Sequence, residues 1–253
     1  MVGLFGRLKL DKEIIFETTA DGSPTLYVPD LDEHYHSMNG AIQESRHVYI
    51  EAGLLHYIKK KYIVDKTYNL EQSEINVLEF GFGTGLNAFL TALEAEKLRI
   101  KIRYSALEKF PLPHKVTDQL NYFPADLLLF KHIHKSDWGN PVKITPFFIL
   151  QKMEVDFNEF DFPDRCDVVY FDAFAPDKQP EVWTQELFNK VFASMNPEGV
   201  LTTYCAKGNV RRMMQQAGFV VERIPGAQGK REMLRANVLN NSNSNKENIK
   251  QKL

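Results

Sequence analysis

The stretch Leu78-Glu79-Phe80-Gly81-Phe82-Gly83-Thr84-Gly85-Leu86 constrains this chain more than any other. Ile75 to Phe80 is apolar and rich in β-formers, the pattern of a short buried strand. Asn87 to Lys97 is built of strong helix formers and reads as a helix. Three glycines at alternate positions lie between them. Without a Cβ, a glycine turns the chain tightly and lets the backbone come close to a ligand. Strand, glycine turn and helix start together form the cradle of a doubly wound α/β sheet, whose ligands sit beyond the carboxyl ends of the strands. Leu86 stands where the dinucleotide fingerprint would carry its third glycine, and an acid, Glu79, precedes Gly81 by two positions. Both features disfavour a pyrophosphate clamp and favour a cationic or amine-bearing ligand. Alone, such a turn also fits an ordinary strand-to-helix connection.

Two further acids fall at strand ends. Ile100 to Leu107 reads as the next parallel strand, and Glu108 at its end lies 25 residues beyond Gly83. In doubly wound nucleotide sites a carboxylate about 20 residues past the glycines accepts hydrogen bonds from ribose hydroxyls. A solvated strand-end charge is the plainer alternative. Asp167 to Phe171 is a short, strongly apolar strand followed by Asp172-Ala173-Phe174-Ala175-Pro176. Asp172 would therefore face the same crevice as Glu79 and Glu108. Phe174, Pro176 and nearby Trp183 offer flat apolar surface beside it, which suits a planar ring held next to a reacting group. A loop aspartate exposed to water is again the plainer alternative, as is a core position for Trp183.

Around this centre the chain divides into three. Residues 1–64 read as an extension, with strands at Glu13–Thr18 and Thr25–Val28 joined by the turn Asp21-Gly22-Ser23-Pro24, and a helix over Tyr49–Tyr62. Residues 65–238 read as the α/β domain, opening with a polar connector at Asp65–Ser73. Helical stretches are expected at Leu112–Tyr122, Ala125–His134, Trp183–Met195 and Asn209–Ala217, the last closed by Gly218. Strands are expected at Phe147–Val155 and Val200–Cys205, with a C-terminal edge hairpin from Phe219–Ile224 and Glu232–Ala236. Residues 239–253 form a polar, low-complexity tail that reads as disordered.

The motifs in their order resemble a known family. Glu79-x-Gly-Phe-Gly-Thr-Gly-Leu-Asn87, Glu108-Lys109-Phe110-Pro111, Asp172-x-Phe-Ala-Pro-x-Lys-x-Pro-x-x-Trp-Thr184 and Gly229-Lys230-Arg231-Glu232-Met233-Leu234 look like the methyltransferase domain of the bifunctional tRNA 5-methylaminomethyl-2-thiouridine biosynthesis (MnmC) proteins. The segments His34-Tyr35-His36 and Gly40-Ala41-Ile42-Gln43-Glu44-Ser45 are similar to that domain's N-terminal part, so the likeness spans roughly residues 20 to 236. It implies a Rossmann-like class I fold, a mostly parallel seven-stranded sheet with helices on both faces. It implies S-adenosyl-L-methionine as cofactor and methyl transfer to an aminomethyl group on the wobble uridine of tRNA. Matching positions assign Glu79, Gly81, Gly83, Thr84, Gly85 and Asn87 to the methionine end of the cofactor, Glu108 and Lys109 to the ribose, and Asp156 to the neighbourhood of adenine, although Val155 replaces the usual glycine before it. Asp172 takes the active-site position, touching both cofactor and acceptor, with Phe174 and Pro176 beside it. Lys178 and Trp183 fall on the substrate side, and Lys230 and Arg231 on a basic strip toward tRNA. The family's FAD-dependent oxidase half has no counterpart motif here, so an oxidase acting upstream is expected to be a separate protein.

Charge distribution bears on the partner. The chain carries a net −2, but residues 206–236 hold +5 and residues 1–205 hold −9. Lys207, Arg211, Arg212, Lys230 and Arg231 supply much of that local basic field, which suits a polyanion and equally suits a solvated helix and strand edge. No apolar run approaches the ~18 residues needed to span a bilayer, and the first residues carry no secretory signal pattern. Cys166 and Cys205 are too few for a disulfide framework. His34/His36 and His132/His134 lack convergent further ligands, so no metal is expected. The expected protein is cytoplasmic, and its alternatives are a small-molecule amine methyltransferase of the same fold or a non-catalytic cofactor- or RNA-binding subunit.

Overall fold

The computed structural model describes residues 14–64, 73–160 and 165–240, with only the backbone for 62–64. Nearly all of the expected connector and most of the expected tail lie outside the described residues. The central sheet contains β4 (Glu74–Phe80), β5 (Lys101–Glu108), β6 (Val142–Lys143), β7 (Phe148–Glu154), β8 (Cys166–Phe171), β9 (Met195–Thr203), β10 (Val220–Pro225) and β11 (Glu232–Asn237). Their order across the sheet is β10-β11-β9-β8-β4-β5-β7-β6. The pairs from β9 through β8, β4 and β5 to β7 are parallel. All six residues of β8 are buried, as a strand covered on both faces requires.

One detail differs from expectation. The sheet has eight strands, the additional one being two-residue β6, antiparallel to β7. The expected C-terminal edge hairpin forms, with β11 beside β9 and β10 outermost. The chain runs outward from β4 to β5 on one side and returns to β8 on the other, which places the topological switch at the carboxyl ends of β4 and β8.

The extension folds as a small sheet of β1 (Ile15–Thr18), β2 (Pro24–Val28) and β3 (Glu33–His34), the third strand not being foreseen. Asp21 holds the β1–β2 turn, its Oδ1 accepting from Thr19 Oγ1 at 2.7 Å and from the Ser23 N–H at 3.0 Å. A long helical rod follows: α1 (Ala41–Ser45) passes through a π-helical stretch (Arg46–Leu55) into α2 (His56–Val64). Gly53 lets this rod lie tight on the sheet, since a Cβ there would stand 3.1 Å from Thr202 Oγ1 and 3.2 Å from the Tyr170 ring. Two tyrosines of the rod grip β8 at its two ends. Tyr57 donates to Asp167 Oδ1 at 2.9 Å, and Tyr49 donates to Asp172 Oδ1 at 2.5 Å.

The remaining helices are α3 (Leu86–Leu98), α4 (His114–Thr117), α5 (Leu127–Lys135), α6 (Gln185–Ser194) and α7 (Gly208–Ala217). The long helix expected at Leu112–Tyr122 shrinks to one turn, α4, because Pro113 keeps extended backbone before it. α6 starts at Gln185 because the Thr184 hydroxyl caps it, accepting the Leu187 N–H at 3.2 Å. Two apolar clusters fill the two sides of the sheet, one with the rod and α3, the other with α6 and α7. Among the described residues no helix is long and apolar enough to cross a membrane.

Candidate functional site

At the switch point the turn after β4 meets the loop after β8. The Asp172 N–H donates to Phe80 O at 3.0 Å, and a Cβ on Gly81 would stand 2.6 Å from the Asp172 carbonyl oxygen. Gly81 has φ +92°, a left-handed conformation that favours glycine. The glycine is thus required twice, by its backbone angle and by the closeness of the two loops. Beyond them lies a cavity of about 320 Å³. Its floor includes Gly81, Gly83, Thr84 and Asn87, one wall carries Glu108 and Lys109, and another carries Asp172, Phe174 and Lys178.

The carboxylates have distinct settings. Glu108 Oε2 accepts the Gly83 N–H at 3.0 Å and Oε1 accepts the Phe110 N–H at 2.8 Å, fixing the group at the cavity wall. Burial raises its pKa, and these backbone donors oppose the rise. Asp172 accepts from Tyr49 through Oδ1 and from Asn87 Nδ2 at 2.8 Å through Oδ2. Burial pushes its carboxyl up to about 7 against the pull of those two donors. The Asn87 amide also donates to Glu79 Oε1 at 2.9 Å, so one side chain ties both acids together.

Glu79 itself is fully buried beneath the cavity and does not line it. It holds Asn87 in place rather than facing a ligand, and burial pushes its carboxyl well above the usual range.

A strap from the extension roofs the space. Tyr35 packs edge-on against Phe174, ring centroids 5.2 Å apart, and a Cβ on Gly83 would stand 3.0 Å from its ring. His36 joins the strap to the glycine turn through Thr84 Oγ1 at 3.2 Å and to β2 through Thr25 Oγ1 at 3.3 Å. Burial lowers its pKa to about 4, so it bridges as a neutral ring. Glu44 lines the cavity between strap and rod, with Lys230 opposite.

Comparisons with known proteins agree with this geometry. Residues 143–238 match a family model described as S-adenosyl-L-methionine-dependent methyltransferase. That stretch therefore resembles an S-adenosyl-L-methionine-dependent methyltransferase. The chain is 28% identical over 232 residues to the tRNA 5-methylaminomethyl-2-thiouridine biosynthesis bifunctional protein MnmC of Leptospira borgpetersenii serovar Hardjo-bovis, covering 87% of this chain and 34% of that protein. The chain thus spans about a third of the length of the curated relatives it matches. The fold superimposes on MNMC2 from Aquifex aeolicus with a TM-score of 0.72 at 22% identity, covering 94% of this chain and 76% of the other. Spermidine synthase from Thermotoga maritima follows at a TM-score of 0.53 and 11% identity, covering 89% and 72%.

The residues present fit the cofactor of such a domain. Gly81 and Gly83, where a Cβ would strike the Asp172 carbonyl or the Tyr35 ring, form part of the floor, and Glu108 offers acceptor oxygens at the end of β5. The cavity volume lies within the usual range of small-ligand sites.

Several expected site residues stand elsewhere. Gly85 starts α3 with φ +71° and packs on His134 instead of lining the cavity. Asp156 lies beside the wall, accepting from Lys109 Nζ at 2.6 Å. Burial raises its carboxyl, but Lys109 and Asn158 hold it below the ordinary value. Pro176 and Trp183 are buried behind the Asp172 loop. Trp183 Nε1 donates to Phe174 O at 2.7 Å and its ring packs 4.8 Å from that of Phe171, so it shapes the loop from the core.

The basic strip is divided. Lys230 points inward, where its Nζ meets Glu44 Oε1 at 2.5 Å. Lys178 lines the cavity and reaches Asp32 at 3.3 Å. Lys207 pairs with Asp177, Arg211 is partly buried, and Arg212 and Arg231 are exposed. Tyr35, Glu44, Tyr49 and Tyr204 were not foreseen. The Tyr204 hydroxyl donates to Ala173 O at 2.9 Å and steadies the loop next to Asp172.

Proposed function

We propose that this domain transfers a methyl group from S-adenosylmethionine to the nitrogen of an aminomethyl group on C5 of a wobble uridine in tRNA. The observation that carries it is Asp172: a carboxyl group at the cavity wall, held through both oxygens by Tyr49 and Asn87 and poised near neutrality. An ammonium has no lone pair, so the acceptor must lose a proton before it attacks. A carboxylate with a pKa near the working pH is suited to accept that proton.

The cofactor supplies a sulfonium-bound methyl with a neutral leaving group. The glycine floor would hold the methionine end of the cofactor, and Glu108 its ribose. Asp172 accepts an amine N–H through a lone pair left by its two donors and takes up the proton. Because Tyr49 and Asn87 fix the carboxylate, the amine is aimed along one line, and alignment of this kind is a large part of catalysis for a bimolecular transfer. Phe174 and Tyr35 exclude water and offer ring surface to a pyrimidine. Similarity to MnmC over 232 residues and the +5 segment of residues 206–236 support tRNA as the carrier of that pyrimidine.

The test is nucleoside mass spectrometry of tRNA from cells lacking the protein, paired with methyl transfer by the purified protein to tRNA, free nucleosides and polyamines. Accumulated 5-aminomethyl-2-thiouridine and preferential transfer to tRNA are expected. An unchanged nucleoside profile together with transfer to polyamines alone would replace the tRNA assignment with a small-amine one.

A further inference from the structure

Glu44 has no part in the chemistry outlined above, yet it stands in the same cavity wall and its side chain is only 9% exposed. Its two oxygens are committed differently. Oε2 accepts the Ser37 N–H of the strap at 2.7 Å, a bond to fixed backbone. Oε1 meets Lys230 Nζ at 2.5 Å, a bond to a flexible cation. Lys230 has a second seat, because its Nζ lies 4.4 Å from the centroid of the Tyr204 ring. The ammonium can therefore release Glu44 and remain over the ring. Glu44 is also close enough to Asp172 for their charges to interact, so two carboxylates and one lysine face the acceptor end.

Resting on the methyltransferase function proposed above, we propose that Glu44 is the specificity-determining carboxylate of the acceptor site, taking the substrate's ammonium group in exchange for Lys230 and turning away amines that carry a carboxylate. With Asp172 ionised, Glu44, Asp172 and Lys230 hold a net negative charge, which an ammonium neutralises. An acceptor whose amine bears a carboxylate arm brings a third anion to a nearly buried pair of carboxylates, and like charges brought together at a desolvated site are strongly disfavoured. Lys230 and the ammonium then set two positive charges against the three negative ones of Glu44, Asp172 and the arm, so a net negative charge stays in the site, whereas the plain amine leaves none. Capture of the ammonium also brings the acceptor nitrogen within range of Asp172 before its proton is lost.

The experiment compares kcat/KM for two tRNA acceptors, one with a plain aminomethyl group and one whose amine carries a carboxymethyl arm. Wild type, Glu44→Gln, Glu44→Asp and Lys230→Met are assayed with melting curves as a check of the fold. Glu44→Gln is expected to reduce the preference for the plain amine by roughly tenfold or more, raising KM for that acceptor more than it lowers kcat. Glu44→Asp restores the preference because it keeps the charge. Lys230→Met keeps or increases it.

The acid limb of the pH profile gives an independent sign. The charged and titratable groups facing Asp172 are Glu44 from α1, Tyr49 from the rod, Glu79 from β4, Tyr104 from β5, Tyr204 after β9 and Lys230 before β11. Removing a like charge with Glu44→Gln moves the limb to lower pH, and removing a cation with Lys230→Met moves it higher. A folded Glu44→Gln protein whose preference changes less than twofold overturns the proposal. So does a Lys230→Met protein that loses preference as Glu44→Gln does, since the pair would then serve only to hold the strap. If Glu44→Gln does not fold, the Lys230→Met and Glu44→Asp outcomes decide. A wild-type protein that methylates neither acceptor overturns the tRNA assignment and this proposal with it, which separates the two failures.

Discussion

Replacing Tyr49 with phenylalanine removes one hydroxyl from the site and little else. The Tyr49 ring packs against Tyr170 with centroids 5.2 Å apart, and phenylalanine preserves that contact. What is lost is the 2.5 Å donation to Asp172 Oδ1, leaving Asn87 as the remaining donor to the carboxylate. A hydrogen bond to a charged group contributes about 1.5–3 kcal/mol, and each pKa unit corresponds to about 1.4 kcal/mol. The carboxyl, already pushed up to about 7 by burial, should therefore rise by about one to two further units. At pH 7 the ionised fraction then falls by about five- to fiftyfold, and so does the rate if the ionised form accepts the proton. The assay is kcat/KM for methyl transfer between pH 5.5 and 9.5, wild type beside Tyr49→Phe. The substrate's own ammonium titrates identically with both proteins, so a displaced limb belongs to the enzyme. Activity of the variant should recover at high pH. A limb that stays in place, or a loss of rate equal at every pH, would refute Asp172 as the titrating group under Tyr49's control.

Gly81→Ala should abolish S-adenosylmethionine binding in calorimetry, because its Cβ meets the Asp172 carbonyl at 2.6 Å where φ is +92°; unchanged affinity would remove the glycine turn from the cofactor site. Glu108→Ala should weaken cofactor binding by about 1–3 kcal/mol, the range for leaving buried polar partners unmatched, measured by the same titration. Stability should also depend on pH through Asp172. Its folded pKa, about 7, lies above the ordinary aspartate value of 3.8, so its favourable contribution is complete below pH 3.8 and is lost as pH rises through 7. Denaturant titrations at pH 5 and 8 should show Asp172→Asn narrowing the difference between them by at most about 3 kcal/mol. Finally, Arg212 and Arg231 are exposed, and replacing both with alanine should reduce the log–log salt slope of tRNA binding by about 1.4–1.8; a steady slope would make them a solvated surface.

How far residues announce their roles depends on where the fold takes them. Gly81, Gly83, Glu108 and Asp172 were legible because a doubly wound sheet sends every strand's carboxyl end to one crevice, so position along a strand fixes position in the site. Glu79 shares their motif but belongs to the strand rather than the turn, and its side chain is sealed beneath Asn87. Trp183 looked like substrate surface because it follows the Asp172 loop, yet its indole is drawn into the core by Phe171 and Phe188. Tyr49 and Glu44 were illegible for another reason. They lie about 120 residues or more from their partners, Asp172 and Lys230, in a segment whose local pattern says only helix. The same distance hid Lys230, whose neighbour Arg231 in sequence is basic but whose partner in space is the acid Glu44.

The π-helical stretch of the rod has a consequence for how such a protein changes over time. It delivers Tyr49 to Asp172 while the sheet alone supplies the glycine floor and Glu108. The cavity wall around Asp172 is thus shared between the extension and the sheet, whereas the glycine floor is not. A fragment cut at residue 65 would keep the glycine turn and Glu108 and forfeit Glu44, Tyr49 and the Tyr35 roof. Changes in the rod and strap can then reshape the wall beside Asp172 without disturbing the glycines, and residues 14–64 become the place where that wall varies independently of the floor.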